Sequence, residues 1–247
     1  MKTFTVLGIK IDYLSVAEIL NFVCGVIENN KKGKISTVNN EFIVEAQKNR
    51  KFAETLNNSS LNVPDSTGIV WAIRKIYKQK IKRIPGADLF EYICKMSAQK
   101  KYRIFLLGGR EGVARAAKEN LQKRYRGIHI VGGIDSVKID PAKADDSLIS
   151  KINETKPNVL FVALGAPKQE LWIEENFGRV QANLFIGIGG TLDFVSGRIK
   201  RAPLWIRKIG LEWLFRLFIE PKRIKRIVNA VIVFPYLIFT RDVDKKP

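Results

Sequence analysis

The stretch "NVLFVALGAPKQE", residues 158–170, decides the fold class. Its unbroken apolar run is typical of a strand that is covered on both faces, as in parallel sheets. Gly165 and Pro167 mark a turn, and helical amphipathic spacing begins at Lys168. A strand that leads through a glycine turn into a helix predicts one half of a βαβ unit.

Similar units lie on both sides of this stretch. The other clear strand patterns are "KISTVN", "YRIFLLGG", "IHIVGGI" and "NLFIGIGG", and Leu61 and Val63 indicate the end of a further buried strand. Helices are predicted over residues 40–57, 67–80, 87–101, 112–126, 146–156 and 168–180. This alternation predicts an α/β, Rossmann-like fold with a mainly parallel sheet flanked by helices. Ligands of such sheets bind beyond the carboxyl ends of the strands.

The pattern changes after Gly197. The segment "RAPLWIRKIGLEWLFRLFIEPKRIKRIVNAVIVFPYLIF", residues 201–239, mixes aromatic, aliphatic and basic residues with no further strand. Pro221 is expected to end one helix and to open the next. We therefore divide the chain into an α/β domain, residues 1–197, and a C-terminal helical appendage, residues 198–247.

Charge is concentrated in this appendage. The chain of 247 residues carries a formal net charge of +19, and residues 198–247 hold 13 Lys and Arg against 4 Asp and Glu. Such a basic surface indicates a polyanionic partner, either nucleic acid or an anionic membrane. The bulky aliphatic and aromatic content, with "IVNAVIVFPYLIF" above all, favours docking on a membrane surface.

Other features of the sequence exclude several classes of protein. Cys24 and Cys94 have no disulfide-like spacing and are expected to be reduced thiols, and His129 is expected to be a strand residue. The N-terminus lacks the apolar core of a signal peptide, and no run reaches the ~18 apolar residues of a spanning helix. With a single histidine, neither a zinc site nor a histidine-activated nucleophile can be assembled.

Three glycine turns follow strands and are candidates for holding a diphosphate. They are "LLGGREG", with Gly108 and Gly109, "GAPKQE", with Gly165, and "IGIGGTLDF", which leads to Asp193. Backbone amides and a helix N-terminus favour an anion, and Lys168 would add charge. For any one turn taken alone, glycines that only permit a tight βα connection are the better account. Neither the Walker motif nor a strict GxGxxG opening a helix is present.

Polar residues at two other strand ends are candidates for substrate contacts. Asp65 in "LNVPDSTGIVWAI", residues 61–73, is either a reactive acid at a pocket mouth or the N-cap of the next helix. We favour the first, because Ser66 or Thr67 can cap that helix instead. Thr37 and Asn39 in "STVNNEF" could bind a sugar, although an asparagine there could also be a cap. "DVD" at residues 242–244 matches a metal motif of sugar transferases, but its place in a charged tail indicates a chance match.

Several of these motifs together resemble the WecG/TagA/CpsF glycosyltransferases. The resemblance is carried by "RIPGADL", "GAPKQE" and above all "GIGGTLDFVSGRIKRAPLWIRKIGLEWLFRLFIEPKRIKR", and it extends from about Val6 to Arg226. It is strongest to the teichoic-acid linkage-unit enzymes of the family. One departure is that Asp65 is followed by Ser66, where many relatives have glycine, which affects only the local turn.

The resemblance implies an activity. It implies inverting transfer of N-acetylmannosamine from UDP-N-acetylmannosamine to undecaprenyl-diphospho-N-acetylglucosamine, in wall teichoic acid synthesis, by a peripheral protein on the cytoplasmic face of the plasma membrane. The α/β domain would bind the nucleotide sugar and catalyse transfer, and the appendage would dock on the anionic bilayer. No cofactor, no metal and no nucleic acid are implied, and homo-oligomer formation is left open.

The resemblance also implies roles for individual residues. Asp65 corresponds to the family's proposed general base, for which a single carboxylate suffices in an inverting transfer. The remaining assignments are substrate contacts by Thr37, Asn39, Arg83 and Gln169, UDP contacts by Gly108, Gly109, Gly165, Lys168, Glu170 and Asp193, and lipid-diphosphate contacts by Arg216, Arg223 and Arg226.

Alternative functions remain at this point. A nucleic-acid-binding protein on a Rossmann-like scaffold is supported only by charge and aromatic content. A dinucleotide oxidoreductase is weakened by the missing glycine fingerprint. Transfer of a different UDP-hexose to the same kind of lipid acceptor is the nearest alternative to the activity that the resemblance implies.

Overall fold

The fold is built on one parallel sheet. A computed structural model of the chain describes residues 1–135 and 145–241. The six strands of the sheet lie in the order β4-β3-β8-β7-β5-β6, and all their pairings are parallel. They are β3 (Gly33–Val38), β4 (Leu61–Pro64), β5 (Arg103–Gly108), β6 (His129–Ile134), β7 (Val159–Ala163) and β8 (Leu184–Gly187). The predicted α/β fold with a mainly parallel sheet is confirmed.

Helices cover both faces of this sheet. Buried side chains of α1 (Val16–Glu28), α5 (Gly86–Lys100) and α6 (Val113–Arg124) share one core cluster with the strands. Side chains of α2 (Asn40–Ala46), α3 (Arg50–Asn57) and α4 (Thr67–Tyr77) belong to a second cluster, and those of α7 (Asp146–Glu154) and α8 (Lys168–Asn176) to a third. Cys94 is buried and Cys24 partly buried, both as thiols.

Two features differ from the sequence prediction. The single helix expected over residues 40–57 is two helices, because the side chain of Asn49 caps a new helix by accepting a hydrogen bond from the amide of Phe52 at 3.0 Å. An antiparallel hairpin of β1 (Lys2–Val6) and β2 (Ile9–Tyr13) was not expected. Its Leu7-Gly8 turn has positive φ at both residues, which suits the twist of a two-residue hairpin.

The C-terminal segment is helical, as expected, and returns to the α/β core. After the short α9 (Thr191–Val195) come α10 (Leu204–Lys208) and α11 (Glu212–Ile219). Pro221 opens a 3-10 turn that leads into α12 (Ile224–Val228), a π-helical turn (Asn229–Val233) and α13 (Phe234–Thr240). Phe234, Leu237 and Ile238 are buried in the cluster that also contains residues of α2 and α4.

The outer surface of this segment remains apolar. Large exposed hydrophobic side chains concentrate between residues 204 and 239, and Trp205 and Phe218 have exposed fractions of 65% and 78%. Within the described residues, no helix combines the length and apolar character needed to cross a bilayer.

Candidate active site

A cavity of about 460 Å³ opens at the carboxyl ends of four strands. It lies at the centre of the sheet, where the chain turns from β3 outward to β4 and later returns through β8, and pockets of open α/β sheets form at such reversals. The site residues predicted from sequence that line this cavity are Thr37, Asn39, Asp65, Arg83, Gly165, Gln169, Arg216, Arg223 and Arg226.

A second cavity of about 750 Å³ adjoins the first. The two share Gly165, Gly189 and Gly190, together with the predicted lipid-diphosphate contacts Arg216, Arg223 and Arg226. The second cavity also contains Gly109 and Asp193.

Three predicted UDP-contacting residues line neither cavity. Gly108 lies in β5 against the carbonyl group of Ala163, and a Cβ atom there would come within 2.7 Å of its oxygen. Lys168 is exposed at the start of α8, and Glu170 is buried behind the cavity wall.

Asp65 follows β4 directly and turns its carboxylate toward α5. Its amide donates to the carbonyl oxygen of Val38 at 2.9 Å, which holds the backbone beside β3. Its Oδ1 accepts a hydrogen bond from the amide of Gly86 at 2.6 Å. Ser66 is the N-cap of α4 and accepts from the amide of Ile69. Asp65 is therefore not needed as a cap, which agrees with the expectation that Ser66 or Thr67 would cap this helix.

The surroundings of Asp65 make it a stronger base than a carboxylate in water. Burial raises its pKa to about 6, and the negative charge of Glu212 acts in the same direction. The hydrogen bond from Gly86, the charge of Arg83 and a hydrogen bond with Asn39 oppose the rise. Near pH 7 the group is mostly ionised and still basic enough to accept a proton.

The residues around Asp65 are positioned by the same elements. Asn39 caps α2 through its Oδ1, which accepts from the amide of Phe42 at 3.2 Å, so its amide nitrogen is left to face Asp65. Thr37 lies so close to the start of α5 that a Cβ atom on Gly86 would fall 2.9 Å from its Oγ1. Glycine at position 86 therefore allows α5 to approach the end of β3.

An ion-pair network that sequence reasoning missed joins this side of the cavity to the C-terminal segment. Arg201 pairs with Asp88 of α5 at 2.7 Å and with Glu212 of α11 at 3.1 Å. Arg207 also pairs with Asp88, and its carbonyl oxygen accepts a hydrogen bond from Arg83. In the sequence, these charged residues all fall inside the motifs quoted above. Such motifs identify residue types, but they do not show which residues pair.

Arg216, Arg223 and Arg226 form a cluster in the wall between the cavities. Glu220 accepts from Arg216 at 2.8 Å and from Arg223 at 3.3 Å, and Glu41 of α2 pairs with Arg226. Burial and the neighbouring charges of Arg216 and Arg226 lower the pKa of Arg223 below its usual value. Two carboxylates thus oppose three guanidinium groups, which leaves an excess of positive charge. A bound diphosphate would compensate this excess.

Arg216 lies directly over a glycine turn. A Cβ atom on Gly190 would come within 2.3 Å of its Nη2, and its guanidinium carbon is 4.8 Å from the centre of the Phe194 ring. The absence of a side chain at position 190 therefore leaves space for the guanidinium group close to the turn. The Phe194 ring supports the group through a cation–π contact.

The second cavity is strongly basic and contains one acceptor without a partner. Arg110, Arg198 and Lys222 line it in addition to the arginine cluster, and none of these three was predicted from sequence. The buried Oδ1 of Asp193 has no hydrogen-bond partner among the residues that the structure describes. A cationic pocket with an unsatisfied carboxylate oxygen suits a phosphorylated ligand with hydroxyl or N–H groups.

Metal ligands do not cluster in the described part of the chain. No group of three or more His, Cys, Asp or Glu residues comes together within residues 1–135 and 145–241. The "DVD" sequence lies outside the described residues.

Comparisons with known proteins point to one family. The family Glycosyl transferase WecG/TagA/CpsF matches residues 4–247. A protein of Staphylococcus aureus strain NCTC 8325 / PS 47, named N-acetylglucosaminyldiphosphoundecaprenol N-acetyl-beta-D-mannosaminyltransferase, is 32% identical over 94% of this chain and 91% of its own length. The protein of the same name from strain MW2 is 31% identical over the same shares.

Proposed function

The chain belongs to the WecG/TagA/CpsF glycosyltransferase family, and on that premise we propose that it transfers N-acetylmannosamine from UDP-N-acetylmannosamine to undecaprenyl-diphospho-N-acetylglucosamine. The observation that carries the proposal is the arginine cluster in the wall shared by two cavities, one of which contains the basic carboxylate of Asp65. Both substrates of this reaction contain a diphosphate, and the names of the relatives specify the same acceptor.

The chemical step is a single displacement with inversion. The acceptor hydroxyl loses its proton to Asp65, and its oxygen forms a bond to C1 of the mannosamine. The bond between C1 and the UDP oxygen breaks, and its electron pair leaves with the diphosphate. A carboxylate with a pKa of about 6 is suited to accept the proton of the hydroxyl group. Guanidinium groups over the glycine turns stabilise the negative charge that develops on the diphosphate as UDP leaves.

The two cavities divide the substrates between them. The cationic second cavity takes the UDP, with Asp193 accepting from a hydroxyl or N–H group of the nucleoside. The first cavity takes the acceptor sugar, with Thr37, Asn39 and Arg83 beside the base. Arg216, Arg223 and Arg226 adjoin both cavities, so they serve the diphosphate of the lipid as well as that of the nucleotide.

The enzyme works as a peripheral protein on the cytoplasmic face of the plasma membrane. Exposed apolar side chains lie on α11 and α12, which contain Arg216 and Arg226, and on the helices of the C-terminal segment on either side of them. Insertion of these side chains among lipids would bring the cavity to the headgroup level, where the diphosphate of a lipid-linked acceptor is found.

The test is product analysis by mass spectrometry. The full chain is incubated with UDP-N-acetylmannosamine and a short-chain lipid diphospho-N-acetylglucosamine, with other UDP-hexoses as parallel donors. We expect a product heavier by one N-acetylhexosamine from the mannosamine donor. A product formed only from another UDP-hexose would show that the donor is wrong. Absence of any product, with UDP bound normally, would overturn the assignment of the acceptor.

A further inference from the structure

The side chain of Gln169 is used entirely within the protein. It is 2% exposed, although its residue borders the first cavity. Its Oε1 accepts hydrogen bonds from two backbone amides, that of Gly165 at 3.2 Å and that of Gly189 at 2.9 Å. These glycines belong to the turns after the neighbouring strands β7 and β8. One side-chain oxygen therefore ties together the two turns that form the wall between the cavities.

The amide nitrogen of Gln169 is bound on its other side. Its Nε2 donates to the Oε1 of Glu170 at 2.6 Å, and Glu170 is 3% exposed. With an acceptor against the nitrogen and two donors against the oxygen, the amide group has only one satisfactory orientation. The reverse orientation would bring the amide nitrogen against two partly buried backbone N–H donors.

The side chains of Gln169 and Glu170 pack against the main chain of β8. A Cβ atom on Gly187 would lie 2.5 Å from both the Nε2 of Gln169 and the Oε1 of Glu170. Glycine at the end of β8 therefore leaves the space that the two side chains occupy. The contact places Glu170 behind the cavity wall, out of reach of a ligand that lies in front of it.

From these contacts we infer that Glu170 is a positioning residue, which orients Gln169 so that it draws the Gly165 and Gly189 turns together into one diphosphate-binding wall. This inference rests on the proposed function for the nature of the ligand. It changes the roles expected from the sequence, because Gln169 then needs no contact with a substrate and Glu170 needs no contact with UDP.

The protonation state of Glu170 provides a way to observe this role. Burial raises its pKa to about 8, against smaller opposite effects of hydrogen bonds and of Arg226 on α12, which is itself paired with Glu41 of α2. Its Oε2 is buried and has no hydrogen-bond partner among the described residues. At neutral pH the group is protonated, and ionisation places an uncompensated charge behind the turns.

The experiment compares three variants of the full chain. Glu170→Gln retains an acceptor oxygen and cannot ionise, whereas Glu170→Leu has similar size and no acceptor. Glu175→Gln, an exposed position on the same helix that pairs with Lys51, is the matched control. For each protein, the amide NMR signals of Gly165 and Gly189 are followed against pH without ligand, and UDP affinity is measured by calorimetry.

We expect the two glycine signals of the wild type to titrate with a midpoint of about 8, the pKa of Glu170. In Glu170→Gln they should be flat in this range. Glu170→Leu should bind UDP about tenfold more weakly, as expected for the loss of one buried hydrogen bond. Glu170→Gln should recover most of that loss, and Glu175→Gln should match the wild type.

Two results would overturn the inference. If Glu170→Leu binds UDP like the wild type with unchanged glycine signals, Glu170 does not position the turns. If Glu170→Gln is as weak as Glu170→Leu while the glycine signals stay in place, Glu170 contacts the ligand directly. Failure of the wild type to bind UDP would instead refute the proposed function, and the titration without ligand would still test the inference.

Discussion

At the scale of single residues, the chemistry depends on how the structure changes ordinary side chains. Asp65 and Glu170 are both carboxylic acids that burial makes harder to ionise, yet their surroundings give them different duties. Asp65 faces the cavity and accepts a hydrogen bond from Gly86, which favours its ionised form. Glu170 is turned away from the cavity and remains protonated at neutral pH. One is therefore suited to accept a proton and the other to hold a neighbour in place.

The first prediction concerns the base. Asp65→Asn retains a hydrogen-bond acceptor for Gly86 and removes the basic oxygen, so turnover should fall by about 10²–10⁴-fold. The melting temperature should hardly change, because Ser66 caps α4. UDP affinity should hardly change either, because Asp65 does not line the second cavity. Turnover by a full-chain assay with the lipid acceptor measures the loss, and calorimetry and thermal melting serve as controls.

The pH profile of kcat/KM distinguishes a base from a residue that only supports the fold. With a pKa of about 6, Asp65 is active in its ionised form, so activity should rise as the pH increases through 6. In Asp65→Asn the residual activity should lack this rise. Normal turnover by the variant would reduce Asp65 to a turn residue.

At the scale of elements, the break between α11 and α12 positions the arginine cluster. Glu220 lies at the end of α11, and Pro221 begins the next turn. The carboxylate binds Arg216 on one side of the break and Arg223 on the other. The two guanidinium groups are thus fixed relative to each other by a single acidic residue, with nitrogen atoms left to face the cavities.

The second prediction tests whether guanidinium geometry matters in this cluster. Arg223→Lys keeps the charge and loses the fork that donates paired hydrogen bonds, so kcat/KM should decrease by about tenfold or more. Arg115→Lys, an exposed position on α6 that pairs with Glu119, is the matched control. Co-sedimentation with anionic liposomes should be unchanged in both variants. A loss of liposome binding that accounts for the lower turnover would indicate general adhesion to headgroups instead.

At the scale of the whole molecule, the C-terminal segment has two faces in different environments. Its inner face buries Phe234, Leu237 and Ile238 against the α/β core. Its outer face exposes a row of large apolar side chains. Exposed apolar patches of this kind are typical of protein or membrane contacts, and the surrounding basic residues favour anionic lipids.

The third prediction tests the outer face. The double change Trp205→Ser and Phe218→Ser removes two highly exposed apolar side chains and should greatly reduce co-sedimentation with anionic liposomes. UDP affinity should be retained, since neither residue lines a cavity. Tyr92→Ser, at an exposed position on α5, is the control and should not affect liposome binding. Preferential binding of single-stranded nucleic acid by the wild type would contradict the membrane assignment.

Much of the architecture was determined by the sequence itself. Apolar runs that end in glycine turns predicted the parallel sheet, because a strand covered on both faces needs apolar residues throughout. The loss of strand patterns after Gly197 predicted the C-terminal helices. The expected membership of the WecG/TagA/CpsF family is confirmed as well. These results depend on residue type and spacing, which are local properties of the chain.

Contacts between distant segments were decided only by the tertiary structure. Arg226 meets Glu41 across 185 positions, and Arg201 meets Asp88 between two separate motifs. The sequence showed that Gln169 and Glu170 stand at a turn, but not that their polar atoms are used within the protein. A spacing pattern shows which side of an element faces inward. Which donor meets which acceptor depends on how whole elements pack, because burial makes each unpaired polar group costly.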